Sequence, residues 1–512
     1  MSLYLRKTIK KDIELLYEWV NDPLVRMNSF NTGIVHHEEH VNWFNQSLAN
    51  PDRDMYICMD GEIPVGQIRV DYDSNGNGVI SYAVAADYRG KGYGRRMLEL
   101  LEIEVAKKKG AGRYLFGEVK PENEASLRAF MNLGYKVSRK ESDKIVVAKQ
   151  VKKPGRDPNF EILRVVAMLM VIVLHYNGMG GLIGPLDVSM PGNQLGFWIT
   201  EVLSIVCVNV YVLISGYFMA DSKFKVSKLV KLWSTVLFYS VVVGAFALVT
   251  GIADRAQYLN LYNIQYLLMP ITNNHYWFAT AYILMYLFSP ILSIAIKEMS
   301  QRQLRNTILL LLVPLCFVKS VIPFSFATDD KGNSFVWFLV LYMIAGYMRR
   351  YGIRALDSKL KGAVCYFASA AAIILHRYVI VGMHNIWPEY NFNMVSTNYN
   401  YIFVLTGAMG LFYWFKNMNF KNNKVTKFIV AIAPYTFGVY LLHVHLMIRY
   451  KWIELFSVSE KLGAFRVVHM IFTVLIVFAV GILVDFLRSC LFEAAERIPL
   501  VARISKKLRN VK

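Results

Sequence analysis

The chain has 512 residues, 55% of them hydrophobic, 14% aromatic and only 18% charged, with a formal net charge of +20 and a mean hydropathy of +0.33. At roughly 150 residues per domain, that length predicts two to four units. The apolar content excludes a disordered or fibrous chain and is too high for an ordinary soluble enzyme.

The excess is uneven. Residues 1–150 hold 22 Lys/Arg against 21 Asp/Glu, whereas residues 151–512 hold 35 against 16. Nearly all of the positive charge therefore lies in the apolar part, in short clusters between long apolar runs. A nucleic-acid binder would spread such charge over a solvated face, so no nucleic-acid partner is expected. The five cysteines are scattered, with no CxxC pair and no His/Cys spacing suited to a metal, and we expect no metal. The opening MSLYLRKTIKKDIELLYEW lacks the apolar core and cleavage site of a secretory signal, which predicts a cytoplasmic first domain.

In residues 79–96, VISYAVAADYRGKGYGRR, an apolar strand (Val79–Val84) runs into a basic, glycine-rich turn, and an amphipathic helix follows. Gly90, Gly92 and Gly94 let successive backbone N–H groups face one point at a helix N-terminus, an anion site suited to a pyrophosphate. A GxG alone is also compatible with a plain tight turn. It is neither a Walker loop nor a Rossmann fingerprint, because the residues those need are missing.

With Arg89 the run becomes Arg-x-x-Gly-x-Gly after a strand, which resembles the acetyl-CoA motif of the GNAT N-acetyltransferases. RYLFGEV (Arg113–Val119) reads as a further strand, and NEASLRAFMNLGY (Asn123–Tyr135) is similar to the family's Asn-x-x-Ser helix ending in Gly-Tyr. The resemblance covers about 1–148. It implies an α+β fold, backbone amides of Arg89, Gly90, Lys91, Gly92, Tyr93 and Gly94 on the CoA pyrophosphate, and Asn123 near the pantetheine. LLYEWVNDPLVRMNSF…HHEEHVNWF (Leu15–Phe44) is similar to GNATs that acetylate the amine of nucleotide-linked amino sugars, through Trp19, Asn21, Arg26, His40 and Trp43. Both tryptophans also fit a core role. Phe130 stands where many GNATs carry a tyrosine acid. Glu118, at a strand end facing the expected cleft, is the candidate base, although a solvated strand-end Glu has the same signature.

Residues 151–159 read as a linker with two helix breakers. Beyond it come ten apolar spans, at about 160–183, 195–219, 229–251, 275–296, 305–323, 334–348, 362–383, 395–415, 428–448 and 464–487, and then a basic tail, 491–512. With a cytoplasmic start, the inside segments hold 26 Lys/Arg and the outside loops five (Arg255, Lys331, Arg449, Lys451, Lys461). That bias predicts cytoplasmic N- and C-termini in a multi-pass protein of the bacterial inner membrane.

Polar residues inside such spans mark function by default. Arg164 and His175 lie eleven residues apart in the first span, so they share one helix face about 16 Å apart along the axis. An Arg at the cytoplasmic surface suits a phosphate, and a His three turns deeper suits proton removal from a hydroxyl attacking a thioester. The spacing equally fits a snorkelling Arg and a His tied to another helix.

Arg164-x10-His175 in a first span resembles the membrane acyltransferase type 3 family of bacterial surface-sugar O-acetyltransferases. VNVYVLISGYFM (Val208–Met219), HYWFATAYILMYLFSPIL (His275–Leu292) and TFGVYLLHVHL (Thr436–Leu446) resemble three further family stretches in the same order. The resemblance implies that Arg164 and His175 are the functional pair, with His443 a weaker candidate. His275 and Trp277 suit the outer interface. Asn209 stands where the family often has Asp, and Lys225, Lys228 and Lys231 where it often has arginines.

The expected fold is thus an α+β GNAT domain (1–150) followed by an all-α polytopic membrane domain (160–490). The expected activity is acetyl transfer from acetyl-CoA as co-substrate. The membrane domain would O-acetylate a cell-surface glycan and the GNAT domain would N-acetylate a sugar nucleotide. Two other readings stay open: a solute transporter using buried Arg, His and Asp485 with an acetyl-CoA-sensing domain, and a membrane-tethered protein N-acetyltransferase.

Overall fold

A computed structural model describes residues 3–109, 112–151, 156–183, 195–321, 330–387, 397–420, 423–459, 465–499, 501–503 and 507. It contains two compact units, Met1–Gly155 and Arg156–Lys512. Residues 152–155 of the expected linker, Lys461, and residues 500, 504–506 and 508–512 of the basic tail lie outside the described residues.

The first unit runs β1 (Leu3–Lys7), α1 (Ile13–Val20), α2 (Pro23–Asn28), α3 (His37–Ala49), β2 (Arg53–Asp60), β3 (Ile63–Tyr72), β4 (Gly78–Val84), α4 (Tyr93–Lys108), β5 (Tyr114–Val119), α5 (Glu124–Asn132), β6 (Lys136–Lys140) and β7 (Ile145–Gln150). Among the described residues, seven strands form one sheet in the order β1-β2-β3-β4-β5-β7-β6. Helix α4 buries Met97, Leu98, Leu101 and Val105 in a core with Ile68, Val70, Leu115 and Val147. That i, i+1, i+4, i+8 spacing is the apolar stripe of a sheet-packed helix.

All neighbouring strands pair antiparallel except β4 and β5, which run parallel. Their register covers only Gly78–Ile80 against Leu115–Gly117. Past those residues the two strands part, opening the sheet where Tyr82, Val84, Glu118 and Val119 line a cleft. Helix α5 lies close on β5 because position 117 has no side chain: a Cβ on Gly117 would sit 2.5 Å from the Phe130 ring.

The second unit is all helical: α6 (Pro158–Met179), α7 (Leu195–Ser204), α8 (Cys207–Met219), α9 (Val226–Phe238), α10 (Gly244–Val249), α11 (Arg255–Tyr258), α12 (Leu261–Leu268), α13 (Trp277–Glu298), α14 (Gln301–Leu312), α15 (Val318–Val321), α16 (Phe335–Tyr351), α17 (Lys359–Ile386), α18 (Ile402–Lys416), α19 (Lys424–Ile432), α20 (Thr436–His443), α21 (Lys451–Leu455) and α22 (Arg466–Ala495). Wider π-helical turns, Tyr239–Val243 and Val313–Phe317, join α9 to α10 and α14 to α15.

Among the described residues, eight helical stretches are long and apolar enough to cross a membrane: Pro158–Met179, Gly196–Met219, Val226–Val249, Trp277–Glu298, Gln301–Val321, Lys359–Ile386, Lys424–His443 and Arg466–Ala495. The sixth and eighth expected spans are present as shorter helices, α16 with 17 residues and α18 with 15. Between Val467 and Leu491 the exposed positions on α22 are apolar, among them Val468, Phe472, Leu475, Leu483 and Leu487, as a lipid solvent demands. Inside, small residues let backbones meet. A Cβ on Gly410 of α18 would lie 2.7 Å from the Tyr366 backbone nitrogen of α17, and one on Gly438 of α20 would collide with the Asp485 carboxylate of α22.

Candidate active sites

In the first unit the glycine-rich turn becomes a cradle of backbone donors. Gly90 (φ 73°) and Gly92 (φ 81°) are left-handed, and Gly92 is the N-cap of α4 without any side-chain cap. Among the described residues no acceptor takes the N–H groups of Gly90 to Arg95. Such a helix start favours an anion through its orphan donors and its dipole.

The side chains around the turn are engaged elsewhere. Arg89 donates to the Val84 carbonyl at 3.0 Å and to Asp22 at 2.6 Å. Lys91 donates to the Asp87 carbonyl at 2.8 Å, and Tyr93 to Asp60 at 2.7 Å. Burial alone would raise the Asp22 carboxyl, but the Arg89 guanidinium and the N–H groups of Val25 and Leu24 outweigh it and hold Asp22 below the usual carboxylate range. Arg89 thus ties the start of α2 to the end of β4, while the backbone of the turn stays free.

The cleft beyond the turn has a volume of about 1070 Å³, and Trp43, Tyr82, Gly94, Glu118 and Asn123 are among its walls. Asn123 caps α5 by accepting from the Ser126 N–H at 3.1 Å. Glu118 pairs with Lys144 at 3.1 Å. Phe130 meets the Tyr82 ring edge-on at 5.9 Å, and the Tyr82 hydroxyl donates to Ser126 Oγ at 3.1 Å. Burial raises the Tyr82 phenol and keeps it protonated. Sequence reasoning missed Tyr82; the signal was its place on β4 just before the glycine turn.

The residues near the front of the domain divide. Trp43 lines the cleft with Arg69 over its ring at 5.2 Å. Asn21 holds the Val35 backbone through both of its amide groups, at 3.0 and 2.9 Å, and Arg26 donates to the carbonyls of Asn31 and Gly33 at 3.2 and 3.1 Å, so both shape the loop that walls the cleft. Trp19 packs on a small core of Leu16, Phe44 and Ile57. His40, only 2% exposed, donates to the Ile13 carbonyl at 3.0 Å, and burial pushes its imidazole below the usual range.

In the second unit, Arg164 and His175 both lie on α6. Met168, Val171 and His175 line a narrow cavity of about 50 Å³ with Cys207, Tyr211, Trp277, Phe278, Tyr399 and Tyr440. Arg164 continues that same i, i+4, i+7, i+11 stripe one turn toward the start of the helix. It is paired with Glu161, a buried acid that also accepts from Arg156 at 3.2 Å. Glu161, which the sequence reading did not single out, partly neutralises two arginines and leaves one net positive charge. The Tyr211 hydroxyl donates to the Arg164 carbonyl at 2.7 Å and links the arginine turn to the cavity wall.

His175 is fixed by a chain of ring nitrogens. His443 Nδ1 lies 2.6 Å from the Val439 carbonyl, which can only accept, so Nδ1 carries the proton and Nε2 is the acceptor. His175 Nδ1 lies 2.8 Å from that Nε2 and must be the donor. His175 Nε2 is left as a lone pair without a hydrogen-bond partner among the described residues, on a half-buried ring that lines the cavity.

The other pair of histidines shows a different pattern. His275 meets Ser240 Oγ at 3.2 Å and accepts from the Leu446 N–H at 3.1 Å. His445 donates to the Ser240 carbonyl and accepts from the Met447 N–H, both at 3.1 Å. All four nitrogens are used, and the pair pins the π-helical turn to the end of α20. Trp277 lies inward, stacked on Tyr399 at 5.6 Å.

Asn209 accepts from Trp337 Nε1 at 3.0 Å and donates to the Tyr399 carbonyl at 2.7 Å. A carboxylate could not make the second bond, so the neutral amide suits this position. Asp485 accepts from Arg488 at 2.6 Å and from the Tyr239 hydroxyl at 3.0 Å, a buried pair that joins α22 to the π turn. Lys225 offers its backbone N–H to the Tyr286 hydroxyl at 3.1 Å and precedes α9, which carries Lys228 and Lys231.

These geometries describe a set of free backbone donors beside a cleft in one unit and an oriented imidazole on a cavity in the other. An acetyltransferase (GNAT) domain model matches residues 2–136, and the type 3 acyltransferase model, described as an acyltransferase domain, matches residues 157–486. The latter spans well over half of the chain, and the chain belongs to this acyltransferase family, with a GNAT domain at its N-terminus.

Solved structures resemble the GNAT part. A domain from Methanocaldococcus jannaschii is 21% identical, covering 29% of this chain and 98% of its own at a TM-score of 0.27. The aminoglycoside acetyltransferase AAC(6')-Ib in complex with paromomycin and acetyl-CoA is 17% identical, covering 29% and 94%, also at 0.27. Spermidine N-acetyltransferase from Vibrio cholerae with CoA and spermine is 13% identical, covering 30% and 96%, again at 0.27. No curated protein matches the chain significantly. The chain is therefore a multi-pass membrane acyltransferase carrying a second transferase domain.

Proposed function

We propose that the chain is a bifunctional enzyme of the bacterial inner membrane that uses acetyl-CoA at two sites, with cytoplasmic N- and C-termini. In this reading a GNAT domain (1–150) acetylates the amine of an amino-sugar nucleotide. A linker (151–159) joins it to a membrane domain (160–490) that O-acetylates a cell-surface glycan, and a basic cytoplasmic tail (491–512) follows.

The observation that carries the reading is the free Nε2 of His175 on an aromatic-lined cavity, oriented by His443 and the Val439 carbonyl. His175 takes the proton of the attacking hydroxyl as the new C–O bond forms and the C–S bond of the thioester breaks. The proton then passes to the departing thiolate. His443 holds His175 in the productive tautomer, and Arg164 with Arg156 supplies positive charge for the CoA phosphates, shared with Glu161.

In the GNAT cleft the N–H groups from Gly90 through Gly94 hold the pyrophosphate, the expected Arg89 N–H being taken by the Ala86 carbonyl at 3.3 Å, and Asn123 lies along the pantetheine arm. Glu118 is the base for the amine. The Tyr82 hydroxyl supplies the proton to the thiolate that Phe130 has no group to give. No metal takes part in this scheme.

The test offers purified chain, in liposomes with labelled acetyl-CoA, three acceptors separately: an amino-sugar nucleotide, a lysine peptide and a glycan. Label in the sugar nucleotide and the glycan is the expected result. Label in the peptide alone overturns the reading in favour of a tethered protein acetyltransferase.

A further inference from the structure

At the end of the membrane unit away from the Pro158 start of α6, four elements meet: the last turn of α6, the first turns of α7 and α22, and the last third of α17. Arg377 of α17 is 3% exposed, yet its Nε and Nη1 have no partner among the described residues. Its guanidinium lies 3.4 Å from the ring centroid of Trp198, which is 2% exposed and whose Nε1 is likewise unpartnered. Beside Trp198 on α7, Phe197 carries the guanidinium of Arg466 at 5.6 Å, and Arg466 Nε is also unpartnered.

Among the described residues, Glu201, one turn beyond Trp198 on α7, does not pair with these arginines. It accepts instead from Asn177 at 3.1 Å. Arg377 Nε, Arg377 Nη1, Trp198 Nε1 and Arg466 Nε are all donors, and an arginine keeps its charge when buried. A buried guanidinium without an anion is strongly disfavoured, and the stacking on Trp198 offsets only part of that. What completes the set is an oxyanion, whose acceptor-only oxygens match a guanidinium fork.

The last turn of α6 connects the site to His175. Tyr176 and Asn177 directly follow His175, and they bind His469 of α22 at 2.8 Å and Thr200 of α7 at 3.2 Å.

We propose that Arg377 and Trp198, with Arg466, bind a carboxylate or phosphate carried by the acyl acceptor, so that an acidic sugar is selected and its neighbouring hydroxyl is presented toward His175. This rests on the membrane unit acting as a glycan O-acyltransferase.

The test titrates the full chain in detergent with a glucuronate-terminated oligosaccharide and with its glucose-terminated counterpart, comparing wild type, Arg377→Met and Arg377→Lys. The acidic sugar should bind wild type more tightly. Arg377→Met should weaken it about tenfold while leaving the neutral sugar unchanged, and Arg377→Lys should lie between, because it keeps the charge and loses the fork. Inorganic phosphate should compete.

An unchanged preference in Arg377→Met overturns the proposal. So does loss of acidic-sugar binding in phosphatidylglycerol nanodiscs but not in phosphatidylcholine ones, since a lipid headgroup then holds the site. Acetyl transfer separates the two claims. Transfer to both sugars at equal KM keeps the acyltransferase reading and removes the anion site. Transfer to neither removes that reading, and the titration still decides whether Arg377 binds the anion.

Discussion

The proton positions at His175 follow from one carbonyl. Val439 can only accept, which places a proton on His443 Nδ1 and, one ring further, on His175 Nδ1. Replacing His443 by Ala removes the acceptor and frees the His175 tautomer. Steady-state kinetics should show kcat for glycan acetylation falling about 100-fold with KM nearly unchanged, and a fall confined to KM would contradict the relay. In the other unit, Tyr82→Phe keeps the ring against Phe130 and removes only the hydroxyl bonded to Ser126. N-acetylation should drop roughly 100-fold with acetyl-CoA binding intact. Neither residue was readable as a partner from sequence. His443 is 268 positions from His175, and the Tyr82–Ser126 bond joins residues 44 apart, so both pairings are products of packing.

At the scale of elements, what was legible was whatever repeats along the chain: apolar spans, the Arg164–His175 stripe and the glycine turn. Length and periodicity are local properties. Spans six and eight are short helices, α16 and α18, because burial among neighbours relieves them of the need to match a bilayer alone. Helix α18 leans on α17 through Gly410, so Gly410→Leu should break that contact and lower the detergent-solubilised yield and melting temperature of the folded protein.

Helix α3 carries a pH dependence. Burial lowers the His40 imidazole in the folded state, so its contribution is complete above the unfolded value of about 6.5 and is lost as pH falls through the folded value. His40→Gln still donates to the Ile13 carbonyl but does not titrate. Tryptophan fluorescence at Trp19 and Trp43 should therefore report a smaller loss of stability between about pH 7 and pH 5 in the variant than in wild type.

For the whole molecule, two transferase domains share one chain, and charge asymmetry sets the proposed topology. Ser222, in the turn after α8, and Gln257, in α11, are both exposed. In a cysteine-free background, Ser222→Cys should react with an impermeant maleimide only from the cytoplasmic side, and Gln257→Cys only from the outer side. The reverse pattern would invert the orientation and move Arg164 away from cytoplasmic CoA.

Two independent acetyl-transfer sites are separated by following labelled acetyl-CoA into a sugar nucleotide and into a glycan, in wild type, His175→Ala and Gly92→Trp. Gly92 is the left-handed N-cap of the cradle, where any side chain is strained. His175→Ala should lose only glycan labelling and Gly92→Trp only sugar-nucleotide labelling. Glycan labelling that survives His175→Ala would contradict the membrane site at its centre.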